Sequence, residues 1–434
     1  MIAKLLLDKK REGHALGSAE IRDFITGFTR GEIPDYQMSA MAMAICCRGM
    51  TARETADLTE AMFRSGETLA WEGACADKHS TGGVGDKLSL VIQPLAAACG
   101  LKVPSMAGRG LGITGGTVDK LETIPGFNAS LSLADFRRVV DTCGLSITAA
   151  TAEIAPADRK LYALRDVTGT VASIPLITAS ILSNKLADGA PTLVFDVKCG
   201  SGAFMKTPES ARELAASLVS GARAAGRKAA ALVTDMSAPL GREIGNVNEV
   251  GEALDWLTPG RGKTAAETAA VELCVELAAL MVALELAMPL EEARQKCRAA
   301  LADGSALAKF RAMVAAQGGD LERFEALRAR PRPRFVIQAM RSGFVTEIDA
   351  EKVGKVALAL GAGRLKAGDW IDPLAGVSLA VAAGDRVAVG APLATLMKSG
   401  DPDGLEAAAA DLLKAFKISG SPPPEKKIIL ERFE

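Results

Sequence analysis

Apolar positions recur at helical spacing over residues 1 to about 70 and again over 151 to 190, which predicts two separate helical stretches. A capping box that runs from Thr51 to Glu54 opens one of these helices. Compact β-rich runs at 192–197 and 229–234 alternate with further helices. This alternation predicts an α/β sheet with helices on its faces, and the helical stretches on both sides of its first segment predict a helical domain built from discontinuous pieces.

The last third of the chain changes character. Thr264 and Glu267 cap a long helix, and the Arg-Pro-Arg-Pro-Arg run at 330–334 marks a linker. Short apolar runs with glycine turns then predict strands that start near Gly343, Lys355, Val377, Asp385 and Pro392. The predicted domains are a helical domain (1–70 and 155–190), an α/β domain (73–154 and 191–330) and a small C-terminal α+β domain (335–434), whose Ser421-Pro-Pro-Pro tail reads as a rigid turn or linker.

Composition narrows the possible functions. The 434 residues carry a net charge of −1 and only 4% aromatic side chains, which argues against a nucleic-acid partner. The 8 cysteines form no C-x-x-C pair and the chain has 2 histidines, so no metal site is expected and a reducing, cytoplasmic setting fits. The N-terminus lacks the features of a signal peptide, and the most apolar stretch, 269–288, contains three glutamates, so no membrane span is expected.

Two glycine-rich segments, 77–86 and 107–117, carry the most informative chemistry. A glycine loop that opens a helix presents backbone N–H groups to an anion, and Lys78, Ser80, Ser89 and Thr117 add side-chain donors to a divided phosphate site. The first loop also holds His79. The chain lacks a P-loop sequence, and the G-x-G-x-x-G run at 110–115 lacks the acidic strand that a dinucleotide site needs.

The longer motifs resemble those of the thymidine and pyrimidine-nucleoside phosphorylase family. The resemblance extends over nearly the whole chain and rests on KHSTGGVGD (78–86), GRGLG (108–112), TGGTVDKLE (114–122), APAD (155–158), LYALRDVT (161–168), PLITASIL (175–182), DVK (196–198) and GSGAF (200–204). It implies an α/β fold in which a discontinuous helical domain and a mixed α/β domain face each other across a cleft, with a C-terminal domain of barrel-sandwich type.

The resemblance also implies a reaction and the residues that perform it. The reaction is reversible phosphorolysis of a nucleoside to free base and pentose 1-phosphate by a homodimer, with inorganic phosphate as co-substrate, no other cofactor and a pyrimidine as the first choice of base. Lys78, His79 and Arg165 are the implied catalytic residues, with His79 as a possible proton donor. The implied phosphate ligands are Lys78, Ser80, Ser89 and Thr117, and the implied base-binding residues are Arg165, Ser180, Asn184, Tyr162, Leu111, Val171, Ile177 and Phe204. Tyr162 and Phe204 could equally be core residues, and Arg165 could instead pair with Asp166.

Several positions depart from the family pattern. Ala107 replaces a serine, Ile113 replaces a histidine, and Ala149-Ala150 replaces Gly-Gln. Asn184 replaces the lysine that lies four residues after Ser180, so the base preference is expected to be altered or the phosphorolysis of thymidine weakened. Some family members bind a monovalent cation beside the first loop, and here Lys87 is expected to supply an ammonium in its place, facing Glu252.

Two rival interpretations remain open at this stage. A phosphoribosyltransferase of related fold would also use a glycine loop and a lysine, but it would require magnesium and phosphoribosyl diphosphate. A non-catalytic nucleoside-binding relative would bind ligand without turnover.

Overall fold

The computed structural model describes residues 2–110, 113, 115–151, 153–364, 366 and 368–434. In chain order its helices are α1 (Ala3–Arg11), α2 (Ser18–Thr29), α3 (Asp35–Arg48), α4 (Ala52–Phe63), α5 (Ser89–Ala98), α6 (Thr117–Leu121), α7 (Leu133–Cys143), α8 (Pro156–Thr168), α9 (Ile174–Ala187), α10 (Pro208–Ala224), α11 (Asn246–Leu257), α12 (Ala265–Leu286), α13 (Leu290–Ala302), α14 (Ser305–Ala316), α15 (Leu321–Arg328), α16 (Ala350–Ala357) and α17 (Leu405–Leu413). Its strands are β1 (Ala76–Ser80), β2 (Val103–Ala107), β3 (Leu145–Ala149), β4 (Thr192–Cys199), β5 (Lys228–Asp235), β6 (Glu243–Gly245), β7 (Arg334–Gln338), β8 (Gly343–Ile348), β9 (Gly376–Leu379), β10 (Arg386–Val387), β11 (Pro392–Met397), β12 (Phe416–Ser419) and β13 (Ile429–Phe433).

The helical domain is assembled from two distant pieces of chain, as the apolar pattern predicts. Helices α1 to α4 share one buried apolar cluster with α8 and α9. Phe28 and Met38 come from the first piece, and Leu161 and Leu176 come from the second. The cluster accounts for the long separation in sequence, because neither set of amphipathic helices can bury its apolar face alone.

The central sheet of the α/β domain has the strand order β1-β4-β5-β13. Strands β1, β4 and β5 are parallel, and β4 is buried along its whole length, as expected for a sheet covered on both faces. Alternate residues of β4 enter different apolar clusters: Phe195 packs with α9 and α10, whereas Val194 packs with α5 and α12. Strands β2 and β3 form a separate parallel pair.

Helix α12 is the long capped helix that the sequence predicts. Thr264 and Glu267 form the expected capping box at its N-terminus. Two of its glutamates are engaged by arginines, because Glu272 accepts from Arg298 and Glu276 accepts from Arg294. No helix among the described residues is long and apolar enough to cross a membrane.

The C-terminal domain contains two small sheets, with strand orders β10-β8-β12 and β6-β9-β11-β7. The strand predicted near Lys355 is wrong, because residues 350–357 form helix α16 and a π-helical turn follows at Leu358–Ala362. The side chain of Asp349 caps this helix by accepting from the N–H groups of Glu351 and Lys352. Val353, Val356 and Ala357 then recur at helical spacing and are buried, which outweighs the β propensity of the short apolar run.

The end of the chain returns to the α/β domain. Strand β13 pairs antiparallel with β5, so residues 429–433 complete the central sheet. The predicted boundary of 335–434 had assigned these residues to the C-terminal domain. In the opposite sense, β6 leaves the α/β domain and pairs with β9. The two domains therefore exchange strands at their junction.

Three connecting segments join the helical and α/β domains, and they bond to one another. The N–H of Glu67 donates to Glu153 O at 2.8 Å, and the N–H of Leu69 donates to Ala187 O at 2.9 Å. Gly189 has φ +86°, and a Cβ there would lie 2.1 Å from Leu69 O, so only glycine fits this crossing. The crossing places every connection between the two domains at one narrow point.

Glu54 gives a stability test of the helical domain. Its carboxylate caps α4 by accepting from the N–H of Thr51, and it also accepts from the N–H of Leu16 and from Lys10 Nζ at 2.8 Å, while both charged side chains are buried. Glu54→Ala leaves the Lys10 ammonium buried without a partner and should lower the free energy of unfolding by about 3–5 kcal/mol, measured by urea denaturation. Glu267→Ala removes the same type of capping residue from an exposed box and should cost about 1 kcal/mol. Equal losses would contradict the role of the buried ion pair.

Candidate active site

Strand β1 divides its side chains between two neighbourhoods, because successive residues of a strand point to opposite faces. Lys78 faces α5, where its Nζ lies 3.4 Å from Ser89 Oγ, the first residue of that helix. Asp77 faces the opposite way and pairs with Lys185 of α9. By the same alternation, Ser80 shares the Lys78 face and His79 shares the Asp77 face. One short strand therefore separates the predicted phosphate ligands from the predicted base-side histidine.

The first glycine loop is held tightly against the end of β5. A Cβ on Gly83 would lie 1.9 Å from Met236 Sδ, and a Cβ on Gly85 would lie 2.8 Å from Leu240 O. Ser80 Oγ donates to the Asp86 carboxylate and accepts from the N–H of Gly82 at 3.1 Å. Packing and the Ser80 hydroxyl thus fix the loop in a turn that begins at the C-terminal end of β1.

Buried charges support the phosphate side of β1. Asp196 on β4 is buried 2.6 Å from Lys198 Nζ and 3.6 Å from Lys78 Nζ. Burial by itself raises the pKa of Asp86, but Lys198, Lys78 and Lys120 outweigh it and lower that pKa. The three lysines therefore favour the ionised form of Asp86, and Asp196 in turn holds the ammonium groups of Lys78 and Lys198 on this side of β1.

The second glycine loop lies against the first. Thr117 begins α6, and three residues later Lys120 Nζ donates to Asp86 O at 2.8 Å. A Cβ on Gly116 would lie 2.1 Å from Gly110 N, so the loop closes on itself at a position that only glycine can occupy. Lys120 therefore joins α6, whose first residue is Thr117, to the first loop, while Leu111, predicted to line the base pocket, lies outside the described residues.

His79 has an environment that keeps its imidazole neutral. Burial, together with the positive charges of Lys185 and Lys78, lowers the pKa of His79 well below its usual value. A neutral imidazole can still donate one hydrogen bond from its N–H, but at neutral pH it holds no extra proton to deliver.

Arg165 is buried between α8 and the loop that leads to α9. Its guanidinium donates to three backbone oxygens, Thr170 O at 3.3 Å, Leu176 O at 3.1 Å and Val171 O at 2.7 Å. The structure gives Arg165 no ion pair with Asp166, so that open alternative is wrong within the described contacts. Two of its five N–H donors remain for a ligand, since each of the three bonds uses one.

The remaining predicted base-binding residues divide into two groups. Ser180 and Asn184 lie one turn apart on α9 and both face Asp158 of α8. Tyr162 is partly buried, with its ring 5.8 Å from the Arg165 guanidinium carbon, and Ile177 is buried on α9. Val171 presents its carbonyl to Arg165, and Phe204 is 37% exposed on the loop after β4. Helices α8 and α9 therefore gather Tyr162, Arg165, Ile177, Ser180 and Asn184, whereas no described contact joins Phe204 to them.

Models of known families match most of the chain. Residues 72–307 match the α/β domain of a glycosyl transferase family, residues 4–66 match the helical bundle domain of that family, and residues 344–419 match the pyrimidine nucleoside phosphorylase C-terminal domain.

Full-length relatives decide the family. The chain is 45% identical to pyrimidine-nucleoside phosphorylase of Geobacillus stearothermophilus over 98% of both proteins. It is 43% identical to thymidine phosphorylase of Mesorhizobium japonicum over 100% of this chain and 99% of that protein. The chain belongs to the thymidine and pyrimidine-nucleoside phosphorylase family.

A more distant likeness concerns the fold alone. Anthranilate phosphoribosyltransferase from Thermus thermophilus superposes with a TM-score of 0.60 at 19% identity, over 73% of this chain and 99% of that chain. It supports the predicted arrangement of a helical domain with an α/β domain.

Lys185 is a residue of the site region that sequence reasoning missed. Its buried ammonium pairs with Asp77, lies 3.0 Å from Asp188 Oδ2 and donates to Met106 O at 3.1 Å. Burial lowers the pKa of Lys185, but Asp188 and Asp77 outweigh it and raise that pKa. The signal in the sequence was the single charged residue of the helix at 174–187, next to Asn184.

Lys87 is the residue that the sequence predicts to supply an ammonium in place of a monovalent cation. Its Nζ bonds to the Glu252 carboxylate, as expected, and also donates to Leu240 O at 2.9 Å and Glu243 O at 2.7 Å. Trp256 covers it, with the ring centroid 5.4 Å away. A carboxylate and two carbonyls are oxygen ligands for a hard cation, and the ammonium already fills the position, so the residues present do not fit a bound ion.

The lowered pKa of His79 gives a test by pH. Above about pH 6.5 the ring is neutral in both the folded and unfolded chains, so its contribution to stability is complete. As the pH falls below 6.5, the unfolded chain takes up a proton that the folded chain refuses, and stability falls by up to about 1.4 kcal/mol per pH unit. His79→Gln should remove this loss in urea denaturation between pH 8 and 5, while the exposed His14→Gln should parallel the wild type. Parallel curves for His79→Gln and the wild type would contradict the lowered pKa of this ring.

Replacement of Lys87 gives a test of the internal cation. Lys87→Thr removes the ammonium and leaves Glu252 buried, which should destabilise the fold by about 3–5 kcal/mol. Potassium chloride should restore part of the lost melting temperature of the variant, whereas choline chloride at equal ionic strength should not. The wild type should respond alike to both salts, and a melting temperature that rises specifically with potassium would show that Lys87 does not replace the ion.

Proposed function

We propose that the protein catalyses the reversible phosphorolysis of a pyrimidine nucleoside, giving the free base and a pentose 1-phosphate. The observation that carries the proposal is the division of strand β1, which places Lys78 beside Ser89 on one face and His79 toward α9 on the other. Relatives of full length at 43–45% identity are named pyrimidine-nucleoside or thymidine phosphorylases.

The arrangement suits a displacement at the sugar carbon. Phosphate held by Lys78, Ser89 and Thr117, beside the loop that Ser80 fixes through Asp86 and Gly82, supplies the oxygen that forms a bond to C1′. The bond from C1′ to the base nitrogen breaks, and its electron pair leaves with the base. The base takes up the proton that the attacking hydrogen phosphate carries and the sugar keeps the phosphate, so the reaction needs no cofactor beyond inorganic phosphate.

The base side stabilises the charge that develops as this bond breaks. A neutral His79 acts there as a hydrogen-bond donor to the departing base. The two unengaged N–H groups of Arg165 add further donors to the departing base. Donors that meet growing negative charge bind the transition state more strongly than the substrate, which lowers the barrier.

The crossing between domains supports closure of the cleft. All three connections pass the point where Glu67, Leu69 and Gly189 meet, so the helical domain can rotate there as a unit. Closure brings the base on α8 and α9 to the phosphate on β1 and excludes water, which would otherwise compete with phosphate as the nucleophile.

Homodimer formation and a cytoplasmic location belong to the same proposal. Large apolar side chains are exposed on the first helices, among them Leu5 at 60%, Tyr36 at 73% and Met43 at 43%, and such a surface favours contact with a second copy. The cysteines of the described residues are free thiols, which fits a reducing compartment.

An assay of phosphate consumption tests the reaction. Uridine or thymidine with inorganic phosphate should yield free base and pentose 1-phosphate, followed by phosphorus NMR. Lys78→Ala should lower kcat/KM by roughly 100-fold, because it removes a buried cation from the phosphate side. The exposed Lys426→Ala is the matched control and should match the wild type.

Other outcomes identify the rival functions. Activity that requires phosphoribosyl diphosphate and magnesium would favour a phosphoribosyltransferase. Nucleoside binding in calorimetry with no product in phosphate would favour a non-catalytic relative.

A further inference from the structure

Asn184 is a partly exposed residue on the otherwise buried middle of α9. From Leu176 to Ala187 the helix is buried, with Asn184 as the partly exposed exception. Its neighbour Lys185 is locked to Asp77 of β1, which fixes this turn of the helix beside the strand that carries His79. Asn184 therefore faces the space between the base-side helices and β1.

The amide of Asn184 can present only its oxygen to that space. One N–H of Nδ2 donates to Asp158 Oδ2 at 2.6 Å, and the other donates to Ser180 O at 2.9 Å. Rotation of the amide by 180° would set its oxygen against two acceptors, so these partners determine the orientation. Both donors are used, and Oδ1, an acceptor, is the free atom.

Asp158 adds a second unused acceptor at the same place. Its side chain is buried, with the residue 7% exposed, and its Oδ1 has no hydrogen-bond partner among the described residues. Burial raises the pKa of Asp158, while the Ser180 hydroxyl and the Asn184 amide oppose that rise. The Ser180 hydroxyl beside this carboxyl makes no hydrogen bond to Oδ1 in the described contacts. A buried carboxyl oxygen without a partner is costly, so this atom favours a ligand that brings an N–H.

We propose that Asn184 and Asp158 form a hydrogen-bond-accepting subsite that selects pyrimidine bases bearing an amino group, the cytosine type, over bases with oxygen at that position. The inference rests on the proposed phosphorolysis and names its substrate class. A lysine at position 184 could only donate and would suit a base oxygen, whereas a carbonyl oxygen of uracil or thymine placed against Asn184 Oδ1 meets another acceptor. An exocyclic amine supplies two N–H donors, one for each unused oxygen.

Asp158→Asn is the sharpest test because it preserves size and removes no packing. The Asn184 amide can still donate to the new side-chain oxygen, and the new NH₂ then occupies the position of the unpartnered acceptor. The measurement is the ratio of kcat/KM for cytidine to that for uridine, with the deoxy forms in parallel. Asp158→Asn and Asn184→Lys should each lower this ratio at least about tenfold. Asn128→Lys, at an exposed turn, should leave it unchanged.

Calorimetric binding of free cytosine and free uracil gives a second readout that does not require turnover. The wild type should bind cytosine more tightly, and both variants should reverse the order. Cleavage of uridine with no cleavage of cytidine by the wild type, or a ratio insensitive to both variants, would overturn the subsite and leave the phosphorolysis intact. Absence of phosphorolysis for every nucleoside would refute the proposed function, and base binding would still decide the subsite.

Discussion

The ammonium of Lys185 lies between the carboxyl groups of Asp77 and Asp188, and all three side chains are buried away from water. Burial of such charges is tolerable only when each one has a partner, and removal of one strands the others. The ion pair of Lys185 with Asp77 joins α9 to β1. Helix α9 carries base-side residues, and β1 carries Lys78 and His79. The geometry of the whole site follows from this contact, because β1 can present Lys78 to one side only while Asp77 is held on the other.

The architecture followed from the sequence where local signals were strong. Both capping boxes, the discontinuous helical domain and the strands at 192 and 229 lie where periodicity predicted them. Prediction failed near Lys355, where the Asp349 cap and tertiary burial outweighed a short β-prone run, and at residues 429–433, whose partner strand lies nearly two hundred residues earlier in the chain.

The orientation of the Asn184 amide could not be predicted from the sequence. It depends on where the fold places two acceptors, Asp158 Oδ2 and Ser180 O, to which the amide nitrogen donates. The phosphate ligands could be named from motifs, but the burial of Asp196 beside Lys78 could not, because charge pairing between β4 and β1 leaves no local pattern.

The departures from the family pattern acquire different meanings in the structure. Ile113 packs against the apolar cluster of the C-terminal domain, near Gly354, so an apolar side chain there joins the second glycine loop to that domain. Ala107 ends β2 next to the backbone oxygen of Met106 that Lys185 binds. Nothing in the structure explains Ala150. Asn184 stands apart from these, since its replacement changes the hydrogen-bonding character of the site and not its packing.

The return of strand β13 to the central sheet has a mechanical consequence. The chain leaves the α/β domain after α15 and re-enters it at Ile429, so both ends of the C-terminal domain are attached to the α/β domain. Pairing of β6 with β9 adds a further connection between the two domains. A domain attached at two points that also shares strands with its neighbour has little freedom to swing. The proposed closure of the cleft would therefore require the helical domain to move, while the C-terminal domain stays with the sheet that carries Lys78.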